Sequence, residues 1–308
     1  MIPHFLAEVL STPWALHPER MRAYAAVLAG RYLGRGRAAP TAGGLDDDDH
    51  GALLKPAAAS SRSAPRSGAI AVVPVYGTIM QRASQLDICD GGTSTQSITQ
   101  ALRQAQADET VSAILLDIDS PGGSVYGVAE LAAEIRGSSK PVTAVANSLA
   151  ASAAYWIGTA AREFYVTPGG EVGSIGVWMA HEDWSKALAD AGVATTLISA
   201  GKYKTEGNPY GPLDADAQAF LQSRVDDYYG AFARDVAKGR GVGVDQVRSG
   251  MGQGRVLGAA QAQAEKMVDG VMTFDQVIRH MQRSLQAAPR GRSAQEVTER
   301  RLALLSLE

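Results

Sequence analysis

The stretch Pro141-Val-Thr-Ala-Val-Ala146-Asn-Ser-Leu-Ala-Ala-Ser152-Ala-Ala-Tyr-Trp-Ile-Gly158 decides how this chain is read. Its first part, Pro141–Ala146, is a short apolar run with β-branched residues and reads as a buried strand. Its last part, continuing to Ala161, reads as a helix beginning at Ser152. Between them almost every side chain is small, which lets a helix enter a packed core end-on and brings backbone close to backbone. One hydroxyl, Ser152, stands where Ala would pack equally well. At a strand-to-helix turn that hydroxyl lies near a positively polarised helix end, a good place for a nucleophile. A serine there also serves as an ordinary N-cap. The segment alone leaves both readings open.

Outward from this stretch the pattern repeats. Gly68–Gly77, Val111–Asp119 and Glu163–Thr167 read as strands, and Ser94–Gln106 and Tyr126–Arg136 as helices. Strand and helix in alternation predict right-handed parallel crossovers in an α/β domain. Further on, Glu182–Ala191 reads as a helix, Val193–Ser199 as a strand, and Gly201–Thr205 as a loop. Asp214–Lys238 reads as a long amphipathic helix with an Asp N-cap. Its Phe220, Leu221, Val225, Tyr228, Tyr229 and Phe232 exceed what one packed face readily uses, so self-assembly is expected. The plain alternative is that this helix only closes the core. Gly254–Leu257, a helix through Lys266, and Met267–Gly270 complete a domain over residues 68–282.

The flanks differ. Residues 1–35 read as a small helical segment, with Pro18–Gly30 as its helix. Residues 36–67 lose all periodicity and are rich in Gly, Ser and Pro, with Asp46–Asp49 as a charge run, which reads as a flexible linker. No Gly and no distal Glu stand at EF-hand spacing around those aspartates, so they are read as a solvated run rather than a calcium loop. Residues 283–308 read as a polar, basic tail.

Composition narrows the class. Apolar content of 45% over 308 residues supports a sizeable core, and a net charge of −3 carries no nucleic-acid footprint. Cys89 is the single cysteine, which excludes an internal disulfide and suits a reducing compartment. The five histidines lack metal-ligand spacing, so neither metal nor cofactor is expected. There is no signal-peptide pattern at Met1–Glu8, and no apolar run of about 18 residues, so neither secretion nor a membrane anchor is expected.

Four segments carry chemistry. Asp119-Ser-Pro-Gly-Gly-Ser-Val125 follows a strand, and its glycines expose backbone N–H groups. Ala150–Trp156 holds Ser152. Gly173-Ser174-Ile-Gly-Val177 offers a second hydroxyl in a tight turn, and Ser199-Ala-Gly-Lys-Tyr-Lys204 offers lysines. In this order, on an α/β chain, they resemble the SppA-type signal peptide peptidases, serine peptidases of the ClpP/crotonase fold. The opening Ile2-Pro-His4, Gly173-Ser-Ile-Gly-Val-Trp-Met-Ala-His181 and Lys204-Thr-Glu-Gly-Asn-Pro-Tyr210 are similar to the capsid assembly proteases of lambda-like phages.

That resemblance implies a ClpP/crotonase-like fold of repeated β-β-α and βα units over about residues 68–282. It implies a Ser-Lys dyad with Ser152 as nucleophile and Lys204 as general base. Ser174 would orient the lysine, and the N–H groups of Gly123 and Ala153 would form the oxyanion hole. Lys202 stands two residues before Lys204, but the pattern Gly-x-Tyr/His-Lys selects Lys204. Ala153-Ala154 departs from the Gly pair usual after the nucleophile and tightens the pocket. A lysine can act as base only as the neutral amine, which burial against apolar walls favours. Val193–Ile198 is the expected wall.

The implied substrates are scaffold, portal or coat protein, and the chain itself within residues 36–67 and 283–308. The implied setting is a phage procapsid in the host cytoplasm. The alternatives are a soluble host peptidase clearing signal or other peptides, a triad using His181 with Asp183 or Asp190, a crotonase-type acyl-CoA enzyme, and a non-catalytic capsid scaffold.

Overall fold

A computed structural model describes residues 13–16, 68–82 and 92–287. In chain order these hold strands β1 (Trp14–Leu16), β2 (Ala69–Tyr76), β3 (Ile79–Met80) and β4 (Thr93–Ser94), then helix α1 (Thr95–Ala107). Strands β5 (Val111–Ser120) and β6 (Gly122–Ser124) lead to helix α2 (Val128–Arg136). Next come β7 (Val142–Ala151), helix α3 (Ala153–Gly158), β8 (Glu163–Val166), β9 (Glu171–Gly173) and helix α4 (Ser185–Asp190). The long helix α5 (Ala215–Arg240) precedes α6 (Val244–Ser249), β10 (Val256–Gly258), α7 (Ala259–Ala264), β11 (Gly270–Val271) and α8 (Phe274–Ala287).

Seven strands form the main sheet, in the order β10-β9-β7-β5-β2, with β8 beside β7 and β11 beside β8. Every pairing in it is parallel except β10 with β9. Strand β7 is the axis. Its first half pairs β8 from Thr143 to Ala146, and its second half pairs β9 from Leu149 to Ala151. A smaller sheet, β1-β6-β3-β4, stands at the end of β5 and β7. This mixed α/β architecture, with its mainly parallel sheet, is the ClpP/crotonase-like fold expected from the sequence.

The β5 sequence is apolar on both faces because both are covered, as parallel strands require. Ile114, Leu116 and Ile118 face α1, α2, α3 and the C-terminal half of α5, while Ala113 and Leu115 meet Val277 and Met281 of α8. Ser94 caps α1 with a reciprocal capping box through Ser97, and Asp214 caps α5 by accepting from the Ala217 N–H at 2.8 Å. On α5, Phe232 stacks on Trp156 of α3 with ring centroids 4.7 Å apart, and Asp235 accepts from the Trp156 indole at 2.7 Å.

Two expectations change. Val193–Ser199 is not a strand: the stretch has no regular structure and is exposed, with Ile198 at 96%. Its β-branched composition is suited to a sheet, but no edge among the described residues pairs with it, and an unpaired strand is not stable in water. Helix α8 runs on to Ala287, past the expected domain limit at 282. The expected helix Pro18–Gly30, the linker 36–67 and the end of the tail lie outside the described residues. Within residues 1–35 the described part is β1.

The contact between α5 and the turn after α3 yields a test. A Cβ on Gly239 would stand 2.0 Å from the Thr159 carbonyl oxygen, inside any permitted contact. Alanine improves helix propensity by about 1 kcal/mol, but forcing the helix off this backbone costs more. Gly239→Ala should therefore destabilise the domain by about 2 kcal/mol net in urea unfolding. An unchanged or higher midpoint would show that α5 is free to shift.

Candidate active site

Ser152 follows directly on the last residue of β7 and precedes α3. Its backbone sits at φ 56°, ψ −119°, a region that L-residues occupy only under constraint. Two hydrogen bonds hold the turn: the Ser152 N–H donates to the Gly173 carbonyl at 2.7 Å, and the Trp156 N–H donates to the Ser152 carbonyl at 2.9 Å. The side chain is 1% exposed. Its hydroxyl donates only weakly, to the Gly176 carbonyl at 3.5 Å, so it is positioned but not locked. The serine is not an N-cap in the usual sense, because it makes no side-chain bond to the helix.

The glycine turn expected beside Ser152 is there. Ser120 ends β5, its hydroxyl donating to the Gly77 carbonyl at 2.6 Å and accepting from the Gly122 N–H at 3.1 Å. Gly122 takes φ +96°, and a Cβ on it would stand 2.9 Å from both the Ala151 carbonyl oxygen and Ser152 Cβ. Gly123 is flanked on both sides, opposite Ala15 of β1 and Ile79 of β3. Ala153 is fully buried at the first turn of α3, where the opening N–H groups have no partner within the helix.

Ser174 also has positive φ, 55°, and is buried, its N–H donating to the Arg255 carbonyl at 2.8 Å. Ser152, Ser174, Gly123 and Ala153 thus all lie where the ends of β5, β7 and β9 meet. Lys204 is not joined to them: it is exposed, and its backbone N–H closes a turn onto the Gly201 carbonyl at 3.1 Å. Lys202 is exposed too, its ammonium 4.7 Å from the centre of the Tyr203 ring. The expected apolar wall, Val193–Ile198, does not cover Lys204 within one chain.

The groups of the histidine alternative are engaged elsewhere. His181 Nε2 lies 3.0 Å from the Asn208 carbonyl oxygen, and Asp190 pairs with Lys186 at 2.8 Å. Asp183 accepts from the Ser185 N–H at 2.9 Å, and hydrogen bonding from Ser185 holds its carboxyl below the usual range. Beneath the site, the buried Tyr155 donates to the Met267 carbonyl at 2.9 Å, and burial pushes its phenol pKa far up. That tyrosine is a neutral packing element.

One part of the site was not read from the sequence. Strand β1 lies antiparallel to β6 and also exchanges two hydrogen bonds with Trp178, at 2.9 and 3.0 Å. Three residues carry no periodicity, so no local signal marks Trp14–Leu16 as a strand.

A mainly parallel sheet whose central strand ends in a strained, buried serine beside a double glycine has a geometry suited to a serine hydrolase. The sequence profile of peptidase family S49 matches residues 134–288, and the chain belongs to that family. It is 36% identical over 256 residues to the capsid assembly protease C of Escherichia phage lambda, covering 80% of this chain and 58% of that protein. It is 40% identical over 181 residues to the head-tail preconnector protein GP5 of Enterobacteria phage P21, covering 58% of this chain and 36% of that protein. A putative signal peptide peptidase SppA of Enterococcus faecium is 29% identical over 179 residues, or 57% of this chain and 52% of that protein. The chain therefore spans little more than half of the lambda relative and about a third of the P21 one. Among the described residues no helix is long and apolar enough to cross a membrane.

The strain at Ser152 can be measured. Glycine adopts this backbone freely, so Ser152→Gly should be more stable than Ser152→Ala by about 1 kcal/mol, even after glycine's greater freedom in the unfolded chain is charged against it. Equal melting of the two variants would place the strain elsewhere.

Proposed function

We propose that this chain is a serine endopeptidase that uses Ser152 as nucleophile and Lys204 as general base. The observation that carries this reading is the Ser152 turn: a buried hydroxyl on strained backbone, weakly bonded, against the Gly122–Gly123 backbone. Strain of this kind costs about 1–3 kcal/mol and persists where function selects it.

In the proposed reaction Ser152 Oγ attacks a peptide carbonyl while the neutral amine of Lys204 takes its proton. Ser174 orients that amine. The N–H groups of Gly123 and Ala153 receive the oxyanion, each such donor contributing about 10²–10³ in rate. The leaving amine departs with the proton, and water then hydrolyses the acyl-enzyme.

Lys204 needs desolvation that the described residues of one chain do not provide. Self-assembly supplies it in this reading: a second copy packs on the exposed Val193, Leu197 and Ile198 and on Phe220 at the outer end of α5. The packed inner end of α5, around Phe232, already closes the core. The relatives' names, a capsid assembly protease and a head-tail preconnector protein, support substrates among the proteins of a forming capsid. Coat, portal and scaffold proteins, and the chain itself, are the candidates, cleaved inside a procapsid in the host cytoplasm.

Ser152→Ala and Lys204→Ala should each lower peptide cleavage by about 10⁴–10⁶-fold, and the double variant should be little worse, because the pair acts as a unit. Additive losses, or substantial turnover by Lys204→Ala, would remove the dyad. With an amine as base, the wild-type rate should climb from roughly pH 6 to 9, and a flat profile with chemistry rate-limiting would exclude it. Activity per chain should also fall on dilution together with the sedimenting mass. A fully active monomer would reject the assembled site.

A further inference from the structure

We propose that Pro13–Leu16 is a built-in substrate mimic, seated in the slot where an extended peptide binds beside Ser152, which must leave before another peptide can enter. The proposal rests on the serine-peptidase reading above and adds how that site is closed and what it admits.

The ladder geometry carries it. Strand β1 is inserted between two segments, β6 on one side and Trp178, just downstream of Ser174, on the other. In an antiparallel ladder, opposed residues alternate between pairs that exchange hydrogen bonds and pairs that do not. The Val125 N–H donates to the Pro13 carbonyl at 3.3 Å, and Trp14 exchanges both its bonds with Trp178 on the other side. The next exchanging pair toward β6 is therefore Ala15 with Gly123, its register partner. The Ala15 carbonyl thus faces the Gly123 N–H, the group proposed as an oxyanion donor.

A second observation places the same carbonyl beside the nucleophile. The Cβ position of Gly122 is 2.2 Å from the Ala15 oxygen and 2.9 Å from Ser152 Cβ. One carbonyl, between an oxyanion donor and the serine, is the pose of a peptide about to be acylated. The residue that presents it, Ala15, is 0% exposed and Trp14 is 4% exposed. A slot that buries alanine completely admits only a small side chain before the scissile bond. Main-chain pairing supplies affinity and the buried alternate positions supply selectivity, as in other modes of strand addition.

The test is made on the full chain. Ala15→Pro removes the Ala15 N–H from the ladder and should release the strand, and Trp14→Ala weakens it more gently. A labelled peptide carrying residues 11–18 of this sequence is titrated by fluorescence anisotropy into Ser152→Ala chains with and without Ala15→Pro. Binding should be at least about tenfold tighter with Ala15→Pro, because the competent state is no longer a minor one. Replacing the alanine of that peptide by phenylalanine should abolish binding. On the Ser152 background, Ala15→Pro should raise peptide turnover and labelling by a fluorophosphonate by at least about tenfold, with Trp14→Ala intermediate. The free peptide should be cut between Ala15 and Leu16. There the ester forms at the Ala15 carbonyl as the C–N bond breaks, the Leu16 amine leaves with a proton, and one water hydrolyses the ester.

Equal peptide affinity with and without Ala15→Pro, or none in either, overturns the slot. If both variants unfold, β1 is a structural staple and the proposal fails. Equal labelling and turnover in wild type and Ala15→Pro defeats the mimic but leaves the peptidase standing. Tighter peptide binding with no Ser152 labelling and no turnover would instead keep the slot and defeat the peptidase reading.

Discussion

The approach of Gly122 to the end of β7 is the constraint on which the rest of the site depends. With no side chain at 122, the backbone that leaves β5 can lie against Ala151 and Ser152, and any Cβ would push it off by collision with both. That contact sets where β6 runs, and β6 sets where β1 and β3 pair. On the far side, Ser152 is tied by its own N–H to the Gly173 carbonyl at the end of β9. The serine is therefore clamped between two strand ends and has no room to relax into ordinary helix-cap geometry. The small residues of Ala150–Ala154 are what make the clamp possible, since each is fully or almost fully buried.

The parts that were legible in the sequence are those decided by local pattern and by burial in one chain. The apolar run Val111–Asp119 reads as a covered strand, and Asp214 announced the helix that follows it. Strand β7 proved longer than its apolar run, because Asn147 and Ser148 interrupt the pattern while the backbone continues paired to β9. The motif resemblance located Ser152, Ser174 and the glycine pair at one place in the fold. Val193–Ser199 misled for a physical reason: strand propensity describes a residue's fit to a pleated, half-buried surface, and the described residues offer it no such surface. Trp14–Leu16 was invisible because its pairing is non-local, more than a hundred residues away in sequence.

These two cases mirror each other. Strand β1 finds a sheet edge that its own sequence does not advertise, whereas Val193–Ser199 advertises a strand and finds no edge among the described residues. Strand β1 lies against the glycine turn beside Ser152, with Ala15 buried in the core cluster, whereas Val193–Ser199 is exposed. Trp156, Phe232 and the β5 residues Ile114, Leu116 and Ile118 pack in the same cluster as Ala15, and no residue of Val193–Ser199 joins it.

The positive φ of Ser152 also limits which chemistries this scaffold can reach by mutation. A γ-sulfur in place of the γ-oxygen leaves the side chain unbranched at Cβ, so a cysteine nucleophile fits the same backbone. Threonine carries a second substituent on Cβ, and β-branched residues are the ones least able to adopt φ near +60°. Threonine is thus disfavoured at this turn. In the proposed mechanism, the elbow that aims the Ser152 hydroxyl leaves serine and cysteine as the nucleophiles its backbone accepts.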